Sequence, residues 1–358
     1  MRVGIITGGG DCPGLNAVIR AVRRTLQTEG DGVEAIGYRD GFRGLIESDF
    51  LSLGPGSVSG ILPVGGTILG TSNRDDPFSW IGVDPRADVT DRVARNLREE
   101  SIDALVVIGG DGTLDIAHRL GKAVGVGIVG VPKTIDNDLA ATDRTFGFDT
   151  AVSIATEAID RIHTTAASHH RVMLVEVMGR AAGWIALHAG MAAGGDVILI
   201  PEIPFRFEAI VAAIEARKAR GKRSSIVVAA EGAKPAGGSL SVYKTVEGGA
   251  DTVRLGGIAR VVGDAIEDKV GLEVRSTILG HVQRGGSPTA FDRILATRFG
   301  VCAARQVLAG NFGSLASLQG NEVVPVPLAD ACVGRRTVDP AGSLVGVARA
   351  TGIWFGDE

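Results

Sequence analysis

Residues 105–138 read LVVIGGDGTLDIAHRLGKAVGVGIVGVPKTIDND and contain two loops, each directly after a short run rich in β-branched residues. The first loop, at 109–113, reads GGDGT. Its glycines let the main chain approach a phosphate closely, and a helix that starts near Thr113 points its positive end at the anion. The second loop, at 132–138, reads PKTIDND and supplies carboxylates. Together they have what metal-assisted phosphoryl transfer needs: one acid to hold the cation and another to take a proton from the acceptor hydroxyl.

Strand-like and helix-like segments alternate on both sides of this stretch. The patterns predict strands at 3–7, 105–108, 125–131, 172–177, 197–200, 225–230 and 274–279, and helices at 15–26, 91–100, 148–165, 182–192, 207–220, 256–269 and 291–310. This order predicts α/β architecture with two mostly parallel sheets, whose ligands lie at the carboxyl ends of the strands. Asp111, Asp136 and Asp138 should therefore meet at one edge of the first sheet. Each alone is also typical of a helix cap or an Asx turn, but three after successive strands favour a site.

Length and composition limit the class of protein. The 358 residues suit one large core or two of ordinary size, and we expect two sub-domains. A net charge of -4 gives no general attraction to nucleic acid or to an anionic membrane. The three cysteines, Cys12, Cys302 and Cys332, lack the spacing of a disulfide framework or a zinc site, and no apolar run is long enough to cross a membrane. We therefore expect a cytoplasmic protein.

Several other segments have a structural and a functional interpretation. The glycine-rich loop at 8–14 lacks the GxGxxG fingerprint and is typical of a plain strand-to-helix turn. A Walker A motif is also excluded, because no lysine precedes Lys122. The basic run at 217–223 complements a helix dipole, with an anionic effector as the alternative. Residues 31–60 show no clear pattern, and residues 235–249 indicate an excursion or a hairpin. Three histidines could suggest a metal site, but their spacing is poor for metal ligands on one helix face: His163, His169 and His170. This favours the interpretation that they are hydrogen-bonded or exposed side chains.

Basic residues around the last predicted strand favour a phosphate site. His281 and Arg284 come just after its end, and Arg275 lies at its start. Arg74 could also neutralise a phosphate, although a lone loop arginine is typically a solvated surface residue.

Four motifs, in this order, resemble those of the 6-phosphofructokinase family. They are the loops at 109–113 and 132–138, the tripeptide MGR at 178–180 and the segment 279–288, and the resemblance covers nearly the whole chain. A lone GGDG also occurs in lipid kinases and NAD kinases, so the combination is what is specific. The resemblance implies transfer of a phosphoryl group from MgATP to fructose 6-phosphate, which gives fructose 1,6-bisphosphate in the committed step of glycolysis.

The same resemblance implies a division of the chain. Residues 1–148 with about 282–335 would form a Rossmann-like α/β/α sub-domain that binds the donor. Residues of about 149–281 with 336–358 would form a second such sub-domain for fructose 6-phosphate, and the active site would lie in the cleft between them. The resemblance also implies a homo-oligomer, a dimer or a tetramer.

Residue roles follow from the same resemblance. Asp136 would be the base that activates the 1-hydroxyl, Asp111 would hold Mg²⁺, and Asp138 and Thr134 would support the reacting centre. Gly10 would offer its N–H to the transferred phosphate, and Arg180 would balance charge in the transition state. Further donor contacts would be Gly110, Gly112 and Thr113. Further sugar phosphate contacts would be Met178, Gly179, Glu231, His281 and Arg284, together with Arg171 and Arg275, which would reach the site of a neighbouring subunit.

The phosphoryl donor is the point where the motif is mixed. Gly112 is typical of ATP-using members, whereas Lys133 is typical of pyrophosphate-using members. An aspartate at position 112 would crowd and repel an α-phosphate, while an added lysine attracts phosphate without excluding a nucleotide, so we expect ATP, with pyrophosphate as the alternative. Asn73 stands where the best-known bacterial enzymes have an arginine, and Arg74 follows it.

The effector site of the bacterial enzymes is matched in part. Arg20, Arg24, Arg220 and Lys222 fall on its cations, but Gly54 and His163 stand where two more are expected. The resemblance therefore implies an allosteric enzyme that is regulated by ADP or phosphoenolpyruvate.

Two hypotheses come from other classes. A nicotinamide-dependent dehydrogenase would share the architecture, but the missing GxGxxG argues against it. A catalytically silent phosphosugar-binding regulator is disfavoured by the intact Asp136.

Overall fold

The computed structural model describes residues 1–83, 85–245 and 253–358. Its strands are β1 Arg2–Thr7, β2 Glu34–Tyr38, β3 Phe50–Ser52, β4 Ala104–Gly109, β5 Gly127–Thr134, β6 Phe146–Gly147, β7 Val172–Val177, β8 Val197–Leu199, β9 Ser225–Ala230, β10 Val242–Thr245, β11 Val253–Leu255, β12 Val274–Ile278, β13 Ser314–Gln319 and β14 Glu322–Pro327. Its α-helices are α1 Leu15–Glu29, α2 Phe42–Glu47, α3 Thr90–Glu99, α4 Asp111–Val124, α5 Phe148–His169, α6 Trp184–Ala192, α7 Phe207–Ala219, α8 Ile258–Val270, α9 Ala290–Leu308 and α10 Ser343–Ala350. Short 3₁₀ helices cover Gly280–Arg284 and Leu328–Cys332.

The first sheet has the strand order β14-β13-β5-β4-β1-β2-β3, with β6 beside β5. It is mostly parallel, and the antiparallel strands β3 and β14 lie at its two edges. Alternate residues of β4 pack on opposite faces: Val106 and Ile108 join the core beneath α1 and α9, and Leu105 and Val107 join the core beneath α2, α3 and α4. A continuous apolar strand buried on both faces is typical of a parallel sheet between two helix layers.

The second sheet, in the order β12-β7-β9-β8, is entirely parallel. Along β7, Leu174 packs with α7 and α8, whereas Val175 packs with α5 and α6 on the opposite face. This sheet therefore also has helices on both faces. The α/β class with mostly parallel sheets, predicted from the alternating pattern, is confirmed.

Element bounds differ from the predicted ones in ways that matter for the site. Helix α4 begins at Asp111, two residues earlier than expected, and β5 continues to Thr134, so Lys133 belongs to a strand. The unclear segment 31–60 contains β2, α2 and β3. The excursion at 235–249 includes β10, which pairs antiparallel with β11, while residues 246–252 lie outside the described part. Over the described ranges, no helix has the length and apolar character that a membrane crossing requires.

Candidate active site

A cavity of about 320 Å³ opens at the carboxyl ends of β1, β4 and β5, which are neighbours in the first sheet. The register places Gly109 beside Pro132, so the two loops that follow these residues lie side by side. The predicted residues that line the cavity are Gly10, Asn73, Arg74, Gly110, Asp111, Gly112, Thr113, Lys133, Thr134, Asp136, Asp138, Arg180 and Arg284. The site thus lies where parallel sheets usually bind ligands.

The glycine loops are packed too closely for side chains. A Cβ on Gly109 would lie 2.3 Å from the Cβ of Thr113, and a Cβ on Gly10 would lie 2.5 Å from Nη1 of Arg284. Gly8 N also donates to the carbonyl of Ile108 at 2.9 Å, which fixes the loop at 8–14 against the end of β4, where the loop at 109–113 begins. These contacts bring bare backbone to the cavity wall, as an anion site requires.

Asp136 is a buried carboxylate, only 2% exposed, at the floor of this cavity. Its Oδ2 lies 3.6 Å from Nε of Arg180, and its backbone N donates to Oγ1 of Thr134 at 3.0 Å. Its Oδ1 has no hydrogen-bond partner among the described residues. Because burying an unpartnered carboxylate oxygen is costly, this atom marks a place where a ligand's proton would be accepted.

Asn137 turns the chain between the two aspartates of this loop. It adopts the left-handed conformation, with φ 54°, and its Oδ1 accepts from Thr145 N at 3.1 Å. Asp136 and Asp138 both face the cavity. Burial, followed by the negative charges of Asp136 and Asp111, raises the pKa of Asp138 to about 6. The three aspartates therefore meet at one edge, as the pattern predicted.

Asp111 is held by hydrogen bonds on both oxygens. Its Oδ1 accepts from Gly112 N at 2.8 Å, and its Oδ2 accepts from Nη2 and Nε of Arg335 at 3.1 and 3.2 Å. Burial acts to raise the pKa of Asp111, but the Gly112 hydrogen bond and the charges of Arg335 and Arg180 outweigh it, so the pKa is lowered. Asp111 therefore stays ionised at neutral pH.

Lys133 lines the cavity beside the glycine loop at 8–14. It is 4% exposed, and its Nζ donates to the carbonyl of Gly10. Burial, followed by the charges of Arg284 and Arg180, lowers its pKa to about 8. At neutral pH it remains largely protonated, which gives the cavity wall a buried cation.

A second group of predicted residues follows β7, on the side of the second sheet. Glu231 accepts from Arg180 N at 2.9 Å and from Gly179 N at 3.3 Å, and Met178 N donates to Oε1 of the fully buried Gln283 at 2.9 Å. Arg180 itself has a left-handed backbone, with φ 51°. Burial raises the pKa of Glu231 to about 7. The second sheet thus supplies a polar wall, of which Arg180 lines the cavity whereas Met178, Gly179 and Glu231 are not among its described lining residues.

The structure does not bring every predicted residue to the cavity. Arg171 and Arg275 lie at the amino ends of β7 and β12, where both pair with Glu273. Met178 lies beyond the opposite end of β7, about 20 Å away for a strand of six residues. His281 is exposed and does not line the cavity.

Among the residues outside the cavity, His163 has a local partner. Its Nε2 lies 2.6 Å from the carbonyl of Ala193. This hydrogen bond agrees with the structural interpretation of the histidines.

Other lining residues were not singled out by the sequence. They are Phe42, Ser72, Asp75, Asp76, Ser79, Arg86, Ile116 and Arg335. Ser72, Asp75 and Asp76 belong to a polar run at 71–77, and this run is the sequence signal that could have indicated them. Arg335 stands in an irregular tail, where the pair Arg335-Arg336 was the one available signal.

Comparison with known proteins gives the relationships of the chain. A family model described as "Phosphofructokinase" matches residues 2–307. A Clostridium perfringens protein named ATP-dependent 6-phosphofructokinase 2 is 52% identical over 362 residues, which cover 99% of this chain and 98% of that protein. A Streptomyces coelicolor protein named pyrophosphate–fructose 6-phosphate 1-phosphotransferase is 51% identical over 356 residues, which cover 99% of this chain and 100% of that protein. The structure of Pichia pastoris phosphofructokinase in the T-state has a TM-score of 0.80 and 34% identity, and the match covers 92% of this chain and 35% of that chain. On sequence and on fold, this chain belongs to the phosphofructokinase family.

Proposed function

We propose that this chain transfers the terminal phosphoryl group of MgATP to the 1-hydroxyl of fructose 6-phosphate, giving fructose 1,6-bisphosphate and ADP. The observation that carries the proposal is the buried Asp136, whose Oδ1 has no partner among the described residues and which lies beside a backbone-lined phosphate cradle. A base next to a phosphate site is the arrangement that phosphoryl transfer to an alcohol requires.

Each residue of the cavity has a role in this proposal. Oδ1 of Asp136 accepts the proton of the attacking hydroxyl, while Arg180, 3.6 Å from Oδ2, offsets negative charge at the reacting centre. Gly10 N–H contacts the transferred phosphate. Thr134 orients Asp136 through the hydrogen bond to its backbone N. Most of the catalysis would then come from positioning and charge stabilisation.

The residues also fit a magnesium ion. Mg²⁺ prefers one or two carboxylates together with phosphate oxygens and water, and the cavity offers the ionised Asp111 and, nearby, Asp138. In the described part of the chain, no cluster of three or more histidine, cysteine or acidic side chains could hold a metal alone. Bound there, the ion would neutralise charge on the donor phosphates.

The sugar phosphate would bind against the wall built by the second sheet, through Met178, Gly179, Glu231 and Arg284. Because Arg171 and Arg275 lie at the far end of that sheet, their predicted contact requires a second copy of the chain. We infer a homo-oligomer in which each chain contributes these arginines to its neighbour. The sub-domain bounds, 1–148 with about 282–335 and about 149–281 with 336–358, remain part of this proposal, as does a cytoplasmic location, which suits three free cysteines.

A second candidate donor, pyrophosphate, is favoured by one specific observation. Lys133 is buried in the phosphate cradle, where a protonated amine would attract any phosphate. Gly112 lies in the same cavity wall, and the absence of a side chain there leaves room for an α-phosphate. We give Gly112 the greater weight, because an attraction for phosphate does not exclude a nucleotide.

The test is fructose 1,6-bisphosphate formation from fructose 6-phosphate and Mg²⁺, with ATP or pyrophosphate supplied in parallel. We expect turnover with ATP, and loss of that turnover in Gly112→Asp, whose carboxylate would repel the donor next to Asp111. Lys133→Met should keep the ATP reaction. Turnover with pyrophosphate alone would show instead that Lys133 decides the donor, and turnover with neither would reject the proposed reaction.

A further inference from the structure

The tail of the chain crosses the rim of the cavity at Arg335. The backbone of Arg335 pairs with that of Leu139, and Arg336 N donates to the carbonyl of Asp138 at 2.8 Å. Nε1 of Trp184, at the start of α6, donates to the carbonyl of Arg336 at 3.1 Å. These bonds fasten the tail to the loop that carries the proposed base and to the second half of the molecule. The position of the Arg335 side chain is therefore set by tertiary structure.

The Arg335 side chain forms hydrogen bonds with Oδ2 of Asp111, the carboxylate oxygen that faces it. Both Nε and Nη2 of Arg335 donate to Oδ2, at 3.2 and 3.1 Å, while Oδ1 accepts from the N–H of Gly112. Asp111 is the carboxylate proposed above to hold Mg²⁺. A cation that binds Oδ2 must therefore displace the guanidinium.

The pair is open enough for this exchange to occur. The side chains of Arg335 and Asp111 are 41% and 33% exposed, and both line the donor cavity. Ion pairs of this exposure contribute little to folding stability. A guanidinium released from Asp111 stays at the cavity wall, where planar, bidentate binding to phosphate oxygens is its preferred interaction.

We propose that Arg335 and the donor's divalent cation compete for Oδ2 of Asp111, and that the displaced Arg335 then binds the terminal phosphate groups of the donor. The inference rests on the proposed function for the identity of the donor. Arg335 takes the cation's place in the unliganded protein and becomes a donor-binding residue in the complex. A cation that binds alone has to break the Arg335–Asp111 ion pair, and Arg335 then has no new partner to offset the lost interaction. A cation that arrives with phosphates supplies Arg335 with that new partner. Metal and donor binding are consequently coupled.

The first test measures binding of Mn²⁺, in place of Mg²⁺, to the full chain without nucleotide or sugar, by electron paramagnetic resonance. In Arg335→Gln the competitor is gone, so we expect Mn²⁺ to bind several-fold more tightly than in the wild type. Arg335→Lys keeps the positive charge but loses the planar, bidentate guanidinium, so its Mn²⁺ affinity should lie between those of the wild type and Arg335→Gln. Arg305→Gln is the matched control, because it removes an exposed arginine–carboxylate pair, with Glu29, that lies outside the cavity. Its Mn²⁺ affinity should equal that of the wild type.

The second test measures the KM for MgATP and, in parallel, for magnesium pyrophosphate. Arg335→Gln should raise the KM for the true donor about tenfold, the effect of losing one charge-assisted contact to phosphate, with a smaller change in kcat. Arg335→Lys should recover part of the loss, and Arg305→Gln should behave as wild type. A purely structural role would lower kcat and thermal stability without the tighter Mn²⁺ binding.

The outcomes separate this inference from the proposed function. Unchanged Mn²⁺ affinity in Arg335→Gln overturns the competition, and unchanged donor KM overturns the phosphate contact. The Mn²⁺ measurement uses no donor, so it decides the competition even if pyrophosphate replaces ATP or if no phosphoryl transfer occurs. If Arg335→Gln does not fold, Arg335→Lys decides both questions in the same directions.

Discussion

At the scale of single residues, the local environment gives different pKa values to carboxylates of the same chemical type. Burial raises the pKa of Asp138 to about 6 and that of Glu231 to about 7. Asp111 is also influenced most by burial, but its hydrogen bonds and neighbouring arginines leave its pKa lowered. Asp111 is therefore charged throughout the neutral range, whereas the charges of Asp138 and Glu231 depend on pH.

Asp136→Asn tests the proposed base directly. The amide keeps the size of the side chain but accepts no proton, so kcat should fall by about 10² to 10⁴-fold while the KM values for both substrates change little. Steady-state kinetics on the purified chain provide the measurement. Asp143→Asn, an exposed carboxylate outside the cavity, is the control and should keep full activity. A fully active Asp136→Asn would refute the mechanism.

Glu231 should make sugar binding depend on pH. Only its ionised form is a strong acceptor for sugar hydroxyls, so the KM for fructose 6-phosphate should fall as pH rises through about 7. In Glu231→Gln this inflection should disappear. The KM should then change only at about pH 6, where the phosphate group of the substrate itself titrates. The measurement is KM against pH for both proteins. An identical inflection in the variant would show that Glu231 does not contact the sugar.

At the scale of elements, the helices next to the site are capped by each other. Oγ1 of Thr289 accepts from Asp292 N at 3.2 Å and donates to Asp149 Oδ2, in the first turn of α5, at 2.7 Å. In return, the buried Asp292 accepts from the backbone and hydroxyl of Thr150 at 2.8 and 2.5 Å. The starts of α5 and α9 are thus joined by these side chains.

Thr289→Ala should reduce the free energy of unfolding by about 1 kcal/mol, because it removes the side-chain cap of α9. Urea denaturation, with the slope compared between variants, is the measurement. Thr289→Ser keeps the hydroxyl and should retain most of the stability. Equal losses in the two variants would attribute the effect to the methyl group instead of the cap.

At the scale of the whole molecule, one chain supplies only part of the predicted site. The cavity collects residues from the carboxyl ends of the first sheet and from the second sheet, whereas Arg171 and Arg275 lie at the opposite end of the second sheet. No rearrangement of side chains spans a distance of about 20 Å. If these arginines bind the sugar phosphate, they do so in another copy of the chain.

Mixing two inactive variants tests this arrangement. Asp136→Asn keeps both arginines but lacks the base, and Arg171→Ala with Arg275→Ala keeps the base but lacks the arginines. After dissociation and reassembly together, mixed oligomers should regain activity, since the arginine-free subunit has Asp136 and receives arginines from its neighbour. Each variant reassembled alone is the control. Mixed oligomers that form but remain inactive would contradict the shared site.

The sequence by itself determined the α/β class, the central parallel strands and the glycine loop at 109–113. Continuous apolar strands such as β4 and glycine loops such as 109–113 depend on local periodicity and on the absence of side chains, which are readable without tertiary contacts. The register of neighbouring parallel strands then made the meeting of Asp111, Asp136 and Asp138 predictable.

Only the tertiary structure decided which distant groups complete the site and in what charge state. Arg335 follows Asp111 by more than two hundred residues, in a tail without periodicity, and reaches it only because the tail pairs with Leu139. The pKa values of Lys133 and Glu231 depend on burial and on charges from both halves of the molecule. Desolvation and long-range contacts are properties of packed surfaces, and no local pattern in the chain encodes them.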